Sequence, residues 1–461
     1  MSAVPTQSPP AWPEVPISEV ADLVRGVSYP KTDARDEPAE CYVPVLRATN
    51  IQDARLVLET DLVHIAERNV SPIQLLRQGD IVVATSSGSK HLVGKSAQLH
   101  GAWHGSFGAF CAAIRPKSHI ESRYLALFLQ SPGYWRQVSK KALGVNINNL
   151  RRGDLETLLL PLPTVDVQRI IVAEIEKQFS RLDEAVANLK RVKANLKRHA
   201  AAVLGTAVSG MLVATEAAIA EDQAREFETG EELLRRSMVQ RKSQWQGAGK
   251  FTSPVGPKEI DLPPLPQGWT WASAVQACDA VVDCHNKTAP YVEKGIPLVR
   301  TTNIRDGRLI PEGMRFVDQP TYEFWSRRCP PQAGDVLFTR EAPMGEAAII
   351  PSGLKICLGQ RTMLMRPSLA IDKGFLLAAL LSPVIRRQID RVAVGSGVKH
   401  LRVGDVERLP IPIPPLAEQR RIVAEVDRRL SIVREVEAEV DANLKRAQAL
   451  QQAVLARSFG G

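Results

Sequence analysis

Two stretches of the chain carry apolar residues at spacings that alternate between three and four. After Pro161-Leu162-Pro163, one row takes Val172, Phe179 and Val186 and then lapses to Lys193, while the other takes Ile175, Leu182, Leu189, Leu196 and Val203. After Pro412-Ile413-Pro414-Pro415, Val423, Leu430 and Leu444 form one row, and Val426, Val433, Val440, Ala447 and Val454 the other. A seven-residue repeat of this kind suits a partner helix better than a broad globular face. Each predicted helix of about 36 residues would be about 54 Å long. Neither can bury its seam alone. Either the two pack on each other, antiparallel, or each folds back on its own domain; the strict repeat favours the first.

Elsewhere the pattern is of short strand-like runs set off by turn residues. Asp80–Ala84 (DIVVA) follows Gln78-Gly79, and Asp335–Thr339 (DVLFT) follows Ala333-Gly334. The runs Phe110–Arg115 and Arg361–Arg366 each lead to a proline, and Tyr124–Gln130 and Phe375–Leu381 read as short helices ending before Ser-Pro. These stretches predict mixed α/β domains whose strand order the sequence does not give. Between them, Glu216–Gln246 is charged and helix-forming, and Gly247–Pro266 is a Gly/Pro/Ser-rich linker.

The runs come in pairs because the chain is duplicated. Val43–Leu56 (VPVLRATNIQDARL) returns as Ile296–Leu309 (IPLVRTTNIRDGRL), and Ser131-Pro132 as Ser382-Pro383. Gly144–Glu174 and Gly395–Glu425 share 15 identities over 31 aligned positions, against about two expected at average composition. An offset of 251 residues is far beyond a solenoid period of about 20 to 45; a whole domain and its trailing helix are repeated. Such a pair is expected to sit about a pseudo-two-fold axis.

Composition narrows the partners. Lys and Arg number 59 and Asp and Glu 50, a net charge of +9, which favours a polyanion. The six cysteines stand without a C-x-x-C pair, so neither a disulfide framework nor structural zinc is expected. The N-terminus has no basic stretch followed by an apolar core, and no apolar run reaches the roughly 18 residues of a membrane helix; a cytoplasmic location is expected. Gly88–Ser96 resembles a phosphate-binding loop, but the motif requires glycine where Ser89 stands. No G-x-S-x-G, H-E-x-x-H or Asn-Pro-Pro-aromatic motif is present. The chain reads as a binder that lends specificity to chemistry performed elsewhere.

The two copies diverge in their loops. Thr85-Ser86-Ser87-Gly88-Ser89-Lys90-His91 faces Arg340-Glu341-Ala342-Pro343-Met344-Gly345-Glu346, and Val145-Asn146-Ile147-Asn148-Asn149 faces Ser396-Gly397-Val398-Lys399-His400. A shared scaffold with different loops is what two readers of two sequences require, and these side-chain types match base edges in the major groove. The candidate DNA contacts are therefore Ser86, Ser87, Ser89, Lys90, His91, Asn146, Asn148 and Asn149 in the first copy, and Arg340, Glu341, Lys399 and His400 in the second. Arg47, Asn50, Arg300 and Asn303 recur in both copies and are either phosphate contacts or scaffold. The partner-facing seam is Ile175, Phe179, Leu182, Val186, Leu189 and Leu196 with Val426, Leu430, Val433, Val440 and Leu444.

With Pro412–Glu425 (PIPPLAEQRRIVAE), its twin Pro161–Glu174, the Gly-Asp-strand elements at Gly79-Asp80 and Gly334-Asp335 and the Leu265–Trp269 segment (LPQGW), the chain resembles the specificity subunits of type I restriction–modification systems over nearly its whole length. The first copy departs at Thr164-Val165-Asp166-Val167, where the second has Pro-Leu-Ala-Glu. The resemblance implies an α+β fold of two similar mixed α/β target recognition domains separated by a long antiparallel two-helix coiled coil: residues 1–163 and 265–415 as the recognition domains, 164–210 and 416–461 as spacer helices, and 211–264 between the copies. It further implies a bipartite, asymmetric DNA site, two methyltransferase subunits docked on the helices, and a possible pair of restriction subunits. S-adenosylmethionine, and ATP and Mg2+ with a restriction subunit, would belong to those partners and not to this chain. The competing readings are a stand-alone bipartite DNA-binding regulator and an enzyme built on the phosphate-loop look-alike.

Overall fold

The computed structural model describes residues 12–87, 92–141, 148–246, 249–257 and 261–459. The chain divides into two compact units. One comprises residues 1–190 and 441–461, the other residues 191–440. Each long helix, Val165–Val208 and Leu416–Ser458, is thus shared between the units.

The first unit is built on a four-stranded antiparallel sheet in the order Ser96–Gln98, Ile81–Ala84, Cys111–Pro116, Ala21–Arg25. The second unit repeats this arrangement with Ala347–Ile349, Val336–Thr339, Thr362–Pro367 and Cys278–Asp283. The central strands Ile81–Ala84 and Val336–Thr339 are buried along their whole length, which explains why they read as unbroken apolar runs. Their side chains alternate between two cores, as the two-residue period of a strand requires. Ile81 and Val83 face a cluster with Tyr124, Leu125 and Phe128 of the helix Ser122–Phe128, while Val82 and Ala84 face one with Leu46 and Phe107 of a second sheet. Val336 and Phe338 likewise join Phe375 and Leu376 of the helix Lys373–Leu381, and Leu337 joins Val299 and Leu358. In each unit that second sheet contains a parallel pair, Ser106–Phe107 with Tyr42–Leu46 and Cys357–Leu358 with Ile296–Val299.

The Gly-Asp element before each central strand has a physical reason. Gly79 and Gly334 both adopt φ 93°, in the left-handed region open to glycine. The following Asp80, 1% exposed, accepts from Arg115 Nε at 2.9 Å and Nη2 at 2.7 Å, and from the Arg77 amide at 2.8 Å. Asp335 repeats this with Arg366 Nε and Nη2, both at 2.8 Å, and the Gln332 amide at 2.8 Å. The bidentate geometry is the strong form of carboxylate recognition by arginine.

Each domain closes where its long helix begins. Glu14–Pro16 pairs with Leu159–Pro161, and Thr270–Ser273 with Pro410–Ile413. Gln168 and Gln419, identical in the duplicated segment, then lock the first helical turn. Gln168 donates to Pro163 O at 2.8 Å and accepts from the Glu121 amide at 2.9 Å; Gln419 donates to Pro414 O at 2.9 Å and accepts from the Asp372 amide at 2.7 Å. The Val167/Glu418 departure is also accounted for. Glu418 is fully buried and accepts from the Glu216 amide at 2.8 Å, and Arg421 pairs with the Glu216 carboxylate at 2.7 Å. This pins the helix Glu216–Asp222, which lies between the copies.

The long helices run 44 and 43 residues, more than the expected 36 or so, because packing holds their ends. In the first unit, Leu455 and Phe459 enter the core that holds Ile175, with the Phe459 ring 5.1 Å from Tyr124 and 5.7 Å from Phe128. In the second unit, Val203, Ala207 and Val208 share a core with Ile422 and Val426. In each unit, residues of both long helices thus share a core with residues of the domain. Between the two long-helix segments, Asp183 meets Gln451 in the first unit and Lys193 meets Glu437 in the second, where Ala214, just past the first helix, also meets Arg421. Val426, Val433, Val440 and Ala447 are buried, while Phe179, Leu182, Val186, Leu189, Leu196, Leu430 and Leu444 are half-buried.

The seam lapses at Lys193 and at Glu437, and these two residues are paired, N to O, at 3.9 Å. A polar layer in an apolar seam fixes register at some cost in stability. Both side chains are about one-third exposed, 33% and 35%, so the pair contributes about 0.2–1 kcal/mol. Lys193→Glu is expected to lower the thermal unfolding midpoint of the full chain, and Lys193→Glu/Glu437→Lys to restore most of it; a double variant no better than the single would contradict the pairing. Asp80→Ala leaves Arg115 uncompensated and is expected to cost about 3 kcal/mol in denaturant unfolding, with Asp335→Ala alike. A loss below about 1 kcal/mol in both would contradict the role given to these pairs.

Candidate nucleic-acid interface

The loops singled out by the duplication converge on one backbone device, present in each unit. Beyond the central strand of the first, the Thr85 amide donates to Phe110 O at 2.8 Å, and the Leu150 amide donates to Thr85 O at 2.8 Å. Ser86 and Ser87 then pair antiparallel with Asn149 and Asn148. In the second unit the Arg340 amide donates to Arg361 O at 2.8 Å, the Leu401 amide donates to Arg340 O at 3.0 Å, and Glu341 bridges His400. Three chain segments are thereby clasped together by main-chain bonds that recur in both units.

A fourth segment joins them. The Gly108 amide donates to Leu46 O at 2.9 Å and the Gly359 amide to Val299 O at 2.8 Å, which brings Arg47 and Arg300 beside the clasp. The approach is close: a Cβ on Gly359 would lie 3.0 Å from Val299 O and from Arg300 Cγ. In the first unit a concave surface results, lined by Tyr29, Arg47, Thr49, Ser86 and Phe110 among others. Cys111 at its base is buried, and burial pushes its thiol up to about 12, so it is an inert apolar lining rather than a nucleophile.

The candidate residues fall into distinct places. Ser86, Ser87, Asn148, Asn149, Glu341 and His400 lie on the clasp, and Lys399 is exposed beside it. Ser89, Lys90, His91 and Asn146 lie outside the described residues, as does most of the phosphate-loop look-alike's first half. Arg340 turns inward, with its Nη1 donating to Leu401 O at 2.9 Å and its Nη2 3.1 Å from Asp283; it braces the clasp. Asn50 and Asn303 are buried and hold their loops, accepting from the Arg47 and Arg300 amides and donating to Val57 O and Ile310 O. Arg47 is tied to Asp61, and Arg300 donates to Gly313 O at 2.8 Å. Arg47 nevertheless lines the concave surface with Ser86 and Phe110.

Two residues were missed. The sequence pattern places Phe110 and Arg361 in strands, but the strands begin one residue later, at Cys111 and Thr362. Both precede the strand in a turn, where Phe110 is 69% exposed and the Arg361 side chain 49% exposed. The available signal was the pairing itself: a phenylalanine and an arginine at equivalent positions of otherwise similar runs.

A family model, the type I restriction modification DNA specificity domain, matches residues 326–442. The specificity subunit of the type I restriction enzyme EcoKI, from Escherichia coli strain K12, is 29% identical, with the match covering 98% of this chain and 89% of that protein. The StySPI specificity subunit of Salmonella potsdam is 27% identical over the same shares. Among solved structures, a chain from work on complex assembly and conformational transition of the type I restriction–modification system matches in fold with a TM-score of 0.61, at 20% identity over 99% of both chains. Over nearly its whole length, then, the chain is similar to the specificity subunits of type I restriction enzymes, and residues 326–442 match the DNA specificity domain of that system.

Proposed function

We propose that this chain directs a type I restriction–modification complex to a bipartite, asymmetric DNA site, each domain reading one half-site. The observation that carries this reading is the clasp itself: the same main-chain bonds recur in both domains, yet they present Ser86, Phe110 and Asn149 in one and Glu341, Arg361 and His400 in the other. A common frame with different side chains suits two related readers of unlike sequences. The net charge of +9 suits a phosphate backbone, and binding should weaken steeply with salt.

In this proposal the two long helices form one antiparallel coiled coil about a pseudo-two-fold axis. They set the unread spacer and dock two methyltransferase subunits, with restriction subunits joining where they exist. The heptad burial and the Lys193–Glu437 pair support it. The chain itself performs no chemistry. S-adenosylmethionine for adenine methylation, and ATP and Mg2+ for restriction, are assigned to the partner subunits, and the complex to the cytoplasm where the chromosome lies.

Methylome sequencing of the source strain with and without the gene is the test. The expected result is methyladenine at a two-part motif whose half-site centres lie about 10 bp apart, on one face of the duplex, present only with the intact gene, and a methyltransferase co-purifying two to one with this chain. Unchanged methylation and no co-purifying enzyme would instead leave the stand-alone regulator.

A further inference from the structure

Resting on that reading, we infer that Phe110 and Arg361 are the base-reading side chains at the centre of the two clasps: Phe110 reads a thymine and Arg361 a guanine. The two occupy one structural position. The carbonyl of each accepts the amide that follows the central strand, Thr85 at 2.8 Å and Arg340 at 2.8 Å. Each therefore has its backbone consumed by the frame and its side chain left over. Phe110 is 69% exposed, in a concave surface that it shares with Ser86, Thr49 and Arg47. An exposed phenylalanine held in place beside an arginine is costly in water and unexplained by the core, since its ring joins none of the hydrophobic clusters of its unit.

The neighbours at this position change together. Where the first copy has Phe110 beside Ser86, the second has Arg361 paired with the Glu341 carboxylate, which is itself only 17% exposed. The acid fixes the guanidinium, which would otherwise sweep out many rotamers, and leaves donors for a further acceptor. Arg361 also sits at φ 65°, a conformation that a non-glycine residue adopts only where the surrounding structure enforces it. In the major groove an arginine matches the O6 and N7 acceptors of guanine, whereas a phenylalanine makes apolar contact with the methyl group that marks thymine. The first half-site is thus assigned a thymine and the second a guanine at the position nearest the clasp.

The test is selection from a duplex library with two randomised windows, using the full chain purified with whatever methyltransferase subunits it retains. The wild type is expected to select a two-part motif with thymine in one half and guanine in the other. Phe110→Ala should reduce the thymine preference at one position on the order of tenfold and leave the other half-site unchanged. Phe110→Leu should keep most of that preference, and Arg361→Ala should lose the guanine alone. If the folded variants select the wild-type motif unaltered at every position, or weaken both half-sites equally, the assignment of these two residues is overturned while the proposed function stands. If the wild type selects no two-part motif, the proposed function falls with it.

Discussion

Everything at the candidate interface depends on one main-chain hydrogen bond in each domain, from the amide just past the central strand to the carbonyl of Phe110 or of Arg361. Backbone donors and acceptors are present whatever the side chain, and a buried one left without a partner costs about as much as a lost hydrogen bond. A frame closed in this way does not depend on a particular side chain at its corners. That is how Phe and Arg, or Ser and Glu, can stand at equivalent points without moving the scaffold. The glycine at 359 lets the neighbouring strand approach the frame closely, and Arg340 braces that copy from within.

The frame is in turn held by the strand that leads into it. Ile81–Ala84 and Val336–Thr339 are buried on both faces, and each is anchored at its start by a carboxylate locked bidentate to an arginine. These pairs lie at the other end of the strand from the clasp. They set where the strand begins and thus where it delivers residues 85 and 340. The anchoring ion pair and the candidate interface are therefore placed at opposite ends of one element.

Much of this was legible in the sequence, for physical reasons that differ by element. The seven-residue seam pointed to both long helices, because one buried face repeats along each of them; only the lengths fell short, since Phe459 and Val208 are held by tertiary packing that a local pattern does not record. The duplication exposed the shared scaffold, and with it the buried roles of Asn50 and Asn303 became separable from the divergent loops. What stayed hidden was direction. Arg340 and Glu341 are adjacent in sequence, and alternation along an extended chain sends one to Asp283 inside and the other to Arg361 at the rim. Phe110 was hidden for a simpler reason: an apolar residue before CAAIRP reads as the start of a strand, and only the turn that precedes Cys111 frees it.

The claim that the two domains share a side-chain-independent frame is tested most directly by amide hydrogen exchange at Thr85, Leu150, Arg340 and Leu401. All four amides are expected to exchange far more slowly than open loops, and Thr85 and Arg340 to keep that protection when Phe110 or Arg361 is replaced by alanine. Exchange at open-loop rates in either domain, or protection lost with the side chain, would contradict it.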